Sequence, residues 1–219
     1  TLSTSDASPH PPLYFLLLSG VISVLGDAIG PVRLPSLFAG LALVAGTAEA
    51  ARRVAGRWPA RVAGLIAAVS PLAIHYSVEA RGYGLLAVLC LALALAAQRY
   101  VARGDRSAAL LVGGLGLAAG LTHYFALFLL PLPLLLALPS RDRDQANDEG
   151  GRRTTWIRAA QASALLLVAM APALWLVAGQ LQRGAGGTSW LRPMPSLWDA
   201  SISSLAAMAV GTQLPNYLG

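Results

Sequence analysis

The chain has 219 residues, 56% hydrophobic and 12% charged, with a mean hydropathy of +0.60. That balance excludes a water-soluble enzyme and a disordered tail, and describes an integral membrane protein whose solvent is mostly lipid. The net charge of +6 comes from sixteen arginines and no lysine, spread over short loops with no single basic stripe, which excludes a nucleic-acid surface.

The chain begins at Thr1 with no leader pattern after it and ends at Gly219 just past an apolar segment, so it reads as an excerpt of a longer polypeptide. The first apolar stretch, 12–26, makes about 13 helical residues and about 20 Å, too short to span the bilayer. Pro11 and Pro12 suit its start, and Gly26-Asp27 with Gly30-Pro31 suits its stop. It is expected to be an amphipathic helix at the outer interface with Tyr14 at headgroup level, followed by an Asp27–Arg33 pair that sets the entry of the first span.

Candidate spans are 34–51, 62–76, 83–97, 108–121, 124–138 and 161–177, an all-α polytopic bundle of about six membrane helices within 33–180. Cys90 lies inside the third, so no disulfide framework or thiolate metal site arises within the chain. Orientation follows from the arginines. With the loop after the first span inside, twelve lie inside and only Arg33, Arg81, Arg183 and Arg192 outside. The segment 107–138 decides this topology, because its 32 residues as one helix would be about 48 Å long and would carry the Arg-rich loop 141–158 outside. Two short helices meeting at Leu121-Thr-His123-Tyr keep the bias and place His123 by an outer cavity. Beyond lie a Gly-rich outer loop at 183–195 and a further apolar helix at 196–210 of open depth, which together make up 181–219.

The candidate site is His75-Tyr-Ser-Val-Glu79-Ala-Arg81-Gly-Tyr83, where a carboxylate and a guanidinium stand two residues apart between two apolar segments. Ionisable groups at membrane depth are expensive and line polar cavities, although an ion pair at a helix end also serves packing alone. With His10-Pro-Pro-Leu-Tyr14, with Gly26-Asp27 and Arg33-Leu-Pro-Ser36, and with Leu121-Thr-His123-Tyr-Phe, it makes four ordered motifs. Their order and spacing resemble the dolichyl-phosphate-mannose protein mannosyltransferase family and its bacterial relatives, and Trp190-Leu-Arg192-Pro-Met-Pro195 is similar to an outer-loop pattern of bacterial members.

The resemblance implies one membrane glycosyltransferase domain over 1–219, with 1–32 forming outer loop and interfacial helix. It implies inverting transfer of a sugar from a polyprenyl-phosphate donor to a protein, lipid or glycan acceptor at the outer face of a bacterial plasma membrane. The family's catalytic Asp precedes the His-Pro-Pro position, and that acidic motif is not among these residues, so the excerpt is expected to be inactive alone. Some relatives carry Glu-Lys-Pro with a metal-binding Glu; here Pro9 and His10 take those places, so no metal and no bound cofactor is expected.

Such chemistry needs a carboxylate to position or deprotonate an acceptor and cations to stabilise the departing phosphate. Glu79 is the candidate carboxylate within the chain. Arg81 is the leading phosphate ligand because its planar fork donates two hydrogen bonds; His10, His123 and Arg192 stand behind it, and Trp190 is a candidate sugar-stacking ring. A transporter or lipid flippase with a polar pathway is the competing reading, and the internal repeats common in transporters are not found.

Overall fold

The computed structural model describes residues 11–138 and 149–182. Every regular element among them is helical: α1 Leu13–Leu25, α2 Ile29–Ala55, α3 Arg57–Val69, α4 Pro71–Val78, α5 Tyr83–Arg103, α6 Arg106–Thr122, a 3-10 helix Tyr124–Leu129, α7 Leu132–Leu136 and α8 Glu149–Gln182. The expected outer loop at 183–195 and the helix at 196–210 lie outside the described residues.

Three helices, α2, α5 and α8, are long and apolar enough to cross a membrane, and the bent pair α3–α4 makes a fourth. The protein is an all-α, multi-pass membrane bundle. Large side chains such as Phe38, Leu65, Ile66, Leu110, Val168 and Trp175 are exposed, which in hydrocarbon costs nothing and in water would be prohibitive.

The expected elements differ from the observed ones where proline was weighed differently. The first span, expected from Leu34, starts at Ile29 as α2 and carries Pro35 inside, where the missing N–H leaves the Pro31 carbonyl without its helical partner. Pro71 was absorbed into a single span at 62–76. Instead Ser70 ends α3 and its hydroxyl accepts from the Ala73 N–H at 3.5 Å, capping α4 with Pro71 in its first turn. The two helices meet at 56°. The segment 124–138 is likewise a 3-10 helix followed by one α-helical turn.

Small residues set the helix register. Gly46 lies against Leu91 and Gly84 against Ala39, so α2 and α5 run parallel; Gly113 lies against Leu165 and Gly120 against Ala173, so α6 and α8 also run parallel. The chain turns at His123, and Ala137 then packs with Val101 at the far end of α5 and Ala159 near the start of α8. Residues 106–138 therefore run out along α6 and back along the 3-10 helix and α7. Leu93, Ala97, Val112, Ala119, Leu166 and Met170 form the core between α5, α6 and α8. Close approach over small side chains is how helices associate in lipid, where apolar burial gives no net drive.

The end of the bundle remote from His123 is cationic and tied by short polar links. Arg99 Nε donates to Asp105 Oδ2 at 2.8 Å, and Asp105 Oδ1 caps α6 by accepting from the Ala108 N–H at 2.7 Å. That backbone bond, then the Ser107 hydroxyl and Arg99, pull the Asp105 carboxyl down to about 2. Arg158 donates to the Ala102 carbonyl at 3.0 Å, beside Gly104 in the left-handed conformation at φ 71°.

A small-residue contact against a neighbouring helix gives a test. A Cβ at Gly40 would lie 2.6 Å from Ser77 Cβ, an atom bonded directly to the α4 backbone. Gly40→Ala is expected to push α4 off α2 and to cost about 1–3 kcal/mol. Gly114, with nothing within 4 Å, serves as the control. Thermal denaturation in detergent should show a lower midpoint for Gly40→Ala and none of that loss for Gly114→Ala.

Candidate active site

The site is built at the end opposite the arginine cluster, where α1, α2, the α4–α5 turn and the α6 terminus converge. The turn is tight: the Arg81 N–H donates to the Glu79 carbonyl at 2.8 Å, a three-residue closure. This folds the two side chains together, and Arg81 Nε stands 3.1 Å from Glu79 Oε1. His75, one helical turn back on α4, stands with Nε2 3.3 Å from Glu79 Oε2. Both carboxylate oxygens are thus engaged. The Arg81 side chain remains 65% exposed while that of Glu79 is 27% exposed, so the guanidinium is reachable and its counter-ion is set back.

A buried polar chain fixes this turn from below. Tyr14, 2% exposed, and Ser36, fully buried, share a 2.9 Å bond between their hydroxyls, and Ser36 donates on to the Arg81 carbonyl at 3.4 Å. Three elements distant in sequence are joined there. Gly82 is a spacing requirement, since a Cβ would come within 3.3 Å of both Tyr14 Cβ and Thr122 Cγ2. Thr122 is itself buried and returns its hydroxyl to the Ala118 carbonyl at 2.7 Å.

Over the turn opens a cavity of about 370 Å³ lined by Tyr14, Phe15, Arg81, Tyr83, Thr122 and His123 among others. Glu79 does not line it. His123, extended between α6 and the 3-10 helix, caps the latter by accepting from the Phe125 N–H on Nδ1 at 3.2 Å, which places the neutral ring's proton on Nε2. Its ring lies 5.2 Å from Tyr83, which lies 5.0 Å from Tyr76, so an aromatic row leads from α4 to the cavity.

Of the residues expected to act, Arg81 and His123 meet at one cavity and Glu79 stands at its edge. His10, Trp190 and Arg192 lie outside the described residues. The expected Asp27–Arg33 pair does not form: Asp27 stands in the bend before α2, whereas Arg33, in the second turn, lines a different cavity with Gly30, Leu34 and Ser77. Among the described residues no group of three His, Cys, Asp or Glu could hold a metal ion. Residues not singled out from sequence are Ser36, Gly82, Tyr83 and Thr122. None carries a charge, and their contacts at the site run to residues distant in sequence.

No curated protein and no solved structure matches the chain. The sequence does match one family over residues 9–176, a stretch holding all four ordered motifs and every described residue of the site. On that match, and on the helical membrane bundle that carries it, the chain belongs to the dolichyl-phosphate-mannose-protein mannosyltransferase family of membrane glycosyltransferases, which implies a lipid-linked sugar as donor.

Proposed function

We propose that the protein is an inverting glycosyltransferase that moves a sugar from a polyprenyl-phosphate donor to an acceptor at the outer face of the membrane, with Arg81 holding the donor phosphate. The observation that carries this reading is Arg81, which lines a cavity of about 370 Å³ with a side chain that stays exposed while its Nε is tied to Glu79. A guanidinium fixed through Nε still offers its outer N–H groups as a planar fork, and a phosphate oxygen gaining charge as the glycosidic bond breaks is stabilised by them in the transition state.

Glu79 is a positioning residue in this scheme. With one oxygen on Arg81 and the other on His75, it orients the fork and offsets the guanidinium charge. Deprotonation of the acceptor falls to the family's acidic residue in the loop preceding the His-Pro-Pro motif, and Tyr83 and Tyr14 supply amphipathic walls suited to a sugar ring. His123 extends that wall, and His10, Arg192 and Trp190 are the further candidates for contact with the donor.

The test uses membranes carrying the full-length protein and a labelled polyprenyl-phosphate sugar. Arg81→Lys keeps the charge but loses the fork, so transfer should fall by about 10²-fold. Arg81→Ala should fall further, because Glu79 loses its partner. Near-normal transfer by a well-expressed Arg81→Ala protein would assign the pair to packing alone.

Sidedness has a separate measurement. In a Cys90→Ser background, a cysteine at Asp27, in the exposed bend between α1 and α2, should react with an impermeant thiol reagent on intact cells. One at Ser107, at the arginine end, should be shielded until the membrane is opened. The reverse pattern would put the cavity inside.

A further inference from the structure

Helix α3 packs along α2, folded back on it by Gly56, whose positive φ of 89° favours glycine. Small residues bring the two helices close: Ala60 is buried, and a Cβ at Gly64 would lie 3.1 Å from Ala48 Cβ. The other side of α3 is open. Trp58, Leu65, Ile66 and Val69 are each more than 60% exposed there, and Arg57 and Arg61 share that side at helical spacing.

The open side is divided by chemistry along its length. Its start, at the arginine end of the bundle, carries two guanidiniums one helical turn apart, with about 5–6 Å between their Cβ atoms. From Arg61 the apolar stripe runs to Val69, a rise of about 12 Å and so most of the depth of one leaflet. Other arginines at this end are engaged: Arg52 and Arg53 share Glu49, Arg99 is held by Asp105, and Arg158 donates to the Ala102 carbonyl. Arg57 and Arg61 make no ion pair or hydrogen bond among the described residues. Around the α2–α3 turn, Arg52, Arg53, Arg57 and Arg61 therefore face the single carboxylate of Glu49.

We propose that this face of α3 binds an anionic phospholipid of the leaflet at the arginine end, with its phosphate on Arg57 and Arg61 and an acyl chain along Leu65, Ile66 and Val69. A guanidinium matches a phosphate through its planar fork, and two of them with no carboxylate partner leave a charge that a zwitterionic headgroup, bringing its own cation, offsets poorly. Trp58, exposed beside the pair, stands at the level where an indole ring settles between headgroups and chains. The site lies at the opposite end of the bundle from the Arg81 cavity and is independent of the donor assignment.

The test titrates the full-length protein in a zwitterionic detergent with phosphatidylglycerol or phosphatidylcholine and reads bound lipid by native mass spectrometry. The wild-type protein should prefer phosphatidylglycerol. Arg57→Gln combined with Arg61→Gln should weaken phosphatidylglycerol about 30-fold and leave phosphatidylcholine unchanged. Both side chains are exposed, so the thermal midpoint of this variant should match the wild type. Arg103→Gln combined with Arg106→Gln removes the same charge from other exposed positions at the same end and should change neither lipid. Soluble glycerophosphoglycerol, which has the head without the chains, should not compete. Equal weakening by the two double variants would reduce the preference to a diffuse field of the arginine end and overturn the site. Unchanged phosphatidylglycerol binding by the Arg57 and Arg61 variant would overturn it as well, and full competition by glycerophosphoglycerol would overturn the lipid as its occupant.

Discussion

A charge at the edge of hydrocarbon must be matched within the protein, and the Glu79 carboxylate is met by the Arg81 guanidinium on one oxygen and by His75 Nε2 on the other. Removing one partner of such a pair typically costs more than the pair contributes, because the survivor is left charged and desolvated. The surrounding architecture follows from that constraint. The α4–α5 turn must be tight enough to bring residues two apart face to face, α4 must extend one turn further back to supply His75, and something must hold the turn's backbone still.

The holding is done by hydroxyls. Tyr14, Ser36 and the Arg81 carbonyl form a line of hydrogen bonds from α1 through α2 to the turn, and in a low-dielectric interior such bonds are stiff because no water competes for either partner. Gly82 lets α1 and α6 close on that line. The guanidinium therefore stands on a rigid base although its own side chain is mostly exposed, which is the arrangement a phosphate ligand needs if little reorganisation is to accompany transfer.

How much of this was legible in the sequence depended on the range of each interaction. Glu79 with Arg81 is visible because the two are neighbours on one turn. The break at His123 is visible because a 32-residue apolar run is too long for the bilayer. The Tyr14–Ser36–Arg81 line spans 22 and 45 residues, and no periodicity announces it. Asp27 with Arg33 failed for the opposite reason: proximity suggested a pair, but the helix start between them directs the two residues to different surroundings. Ser70-Pro71 carried a recognisable helix-start signal that an apolar window of span length overrode.

Helix α1 touches the rest of the protein in an unusual way, for Tyr14 is its one buried residue, while Phe15, Leu16, Leu17, Val24 and Leu25 are all exposed. Lipid rather than protein keeps those side chains in place, so the wall that Tyr14 and Phe15 give to the cavity is a joint product of the chain and the bilayer. Solubilisation exchanges that solvent for a micelle of different thickness and curvature. The choice of amphiphile thus becomes a determinant of site integrity separate from global stability: a preparation can keep its α5–α6–α8 core and its helicity while the α1 wall has drifted away.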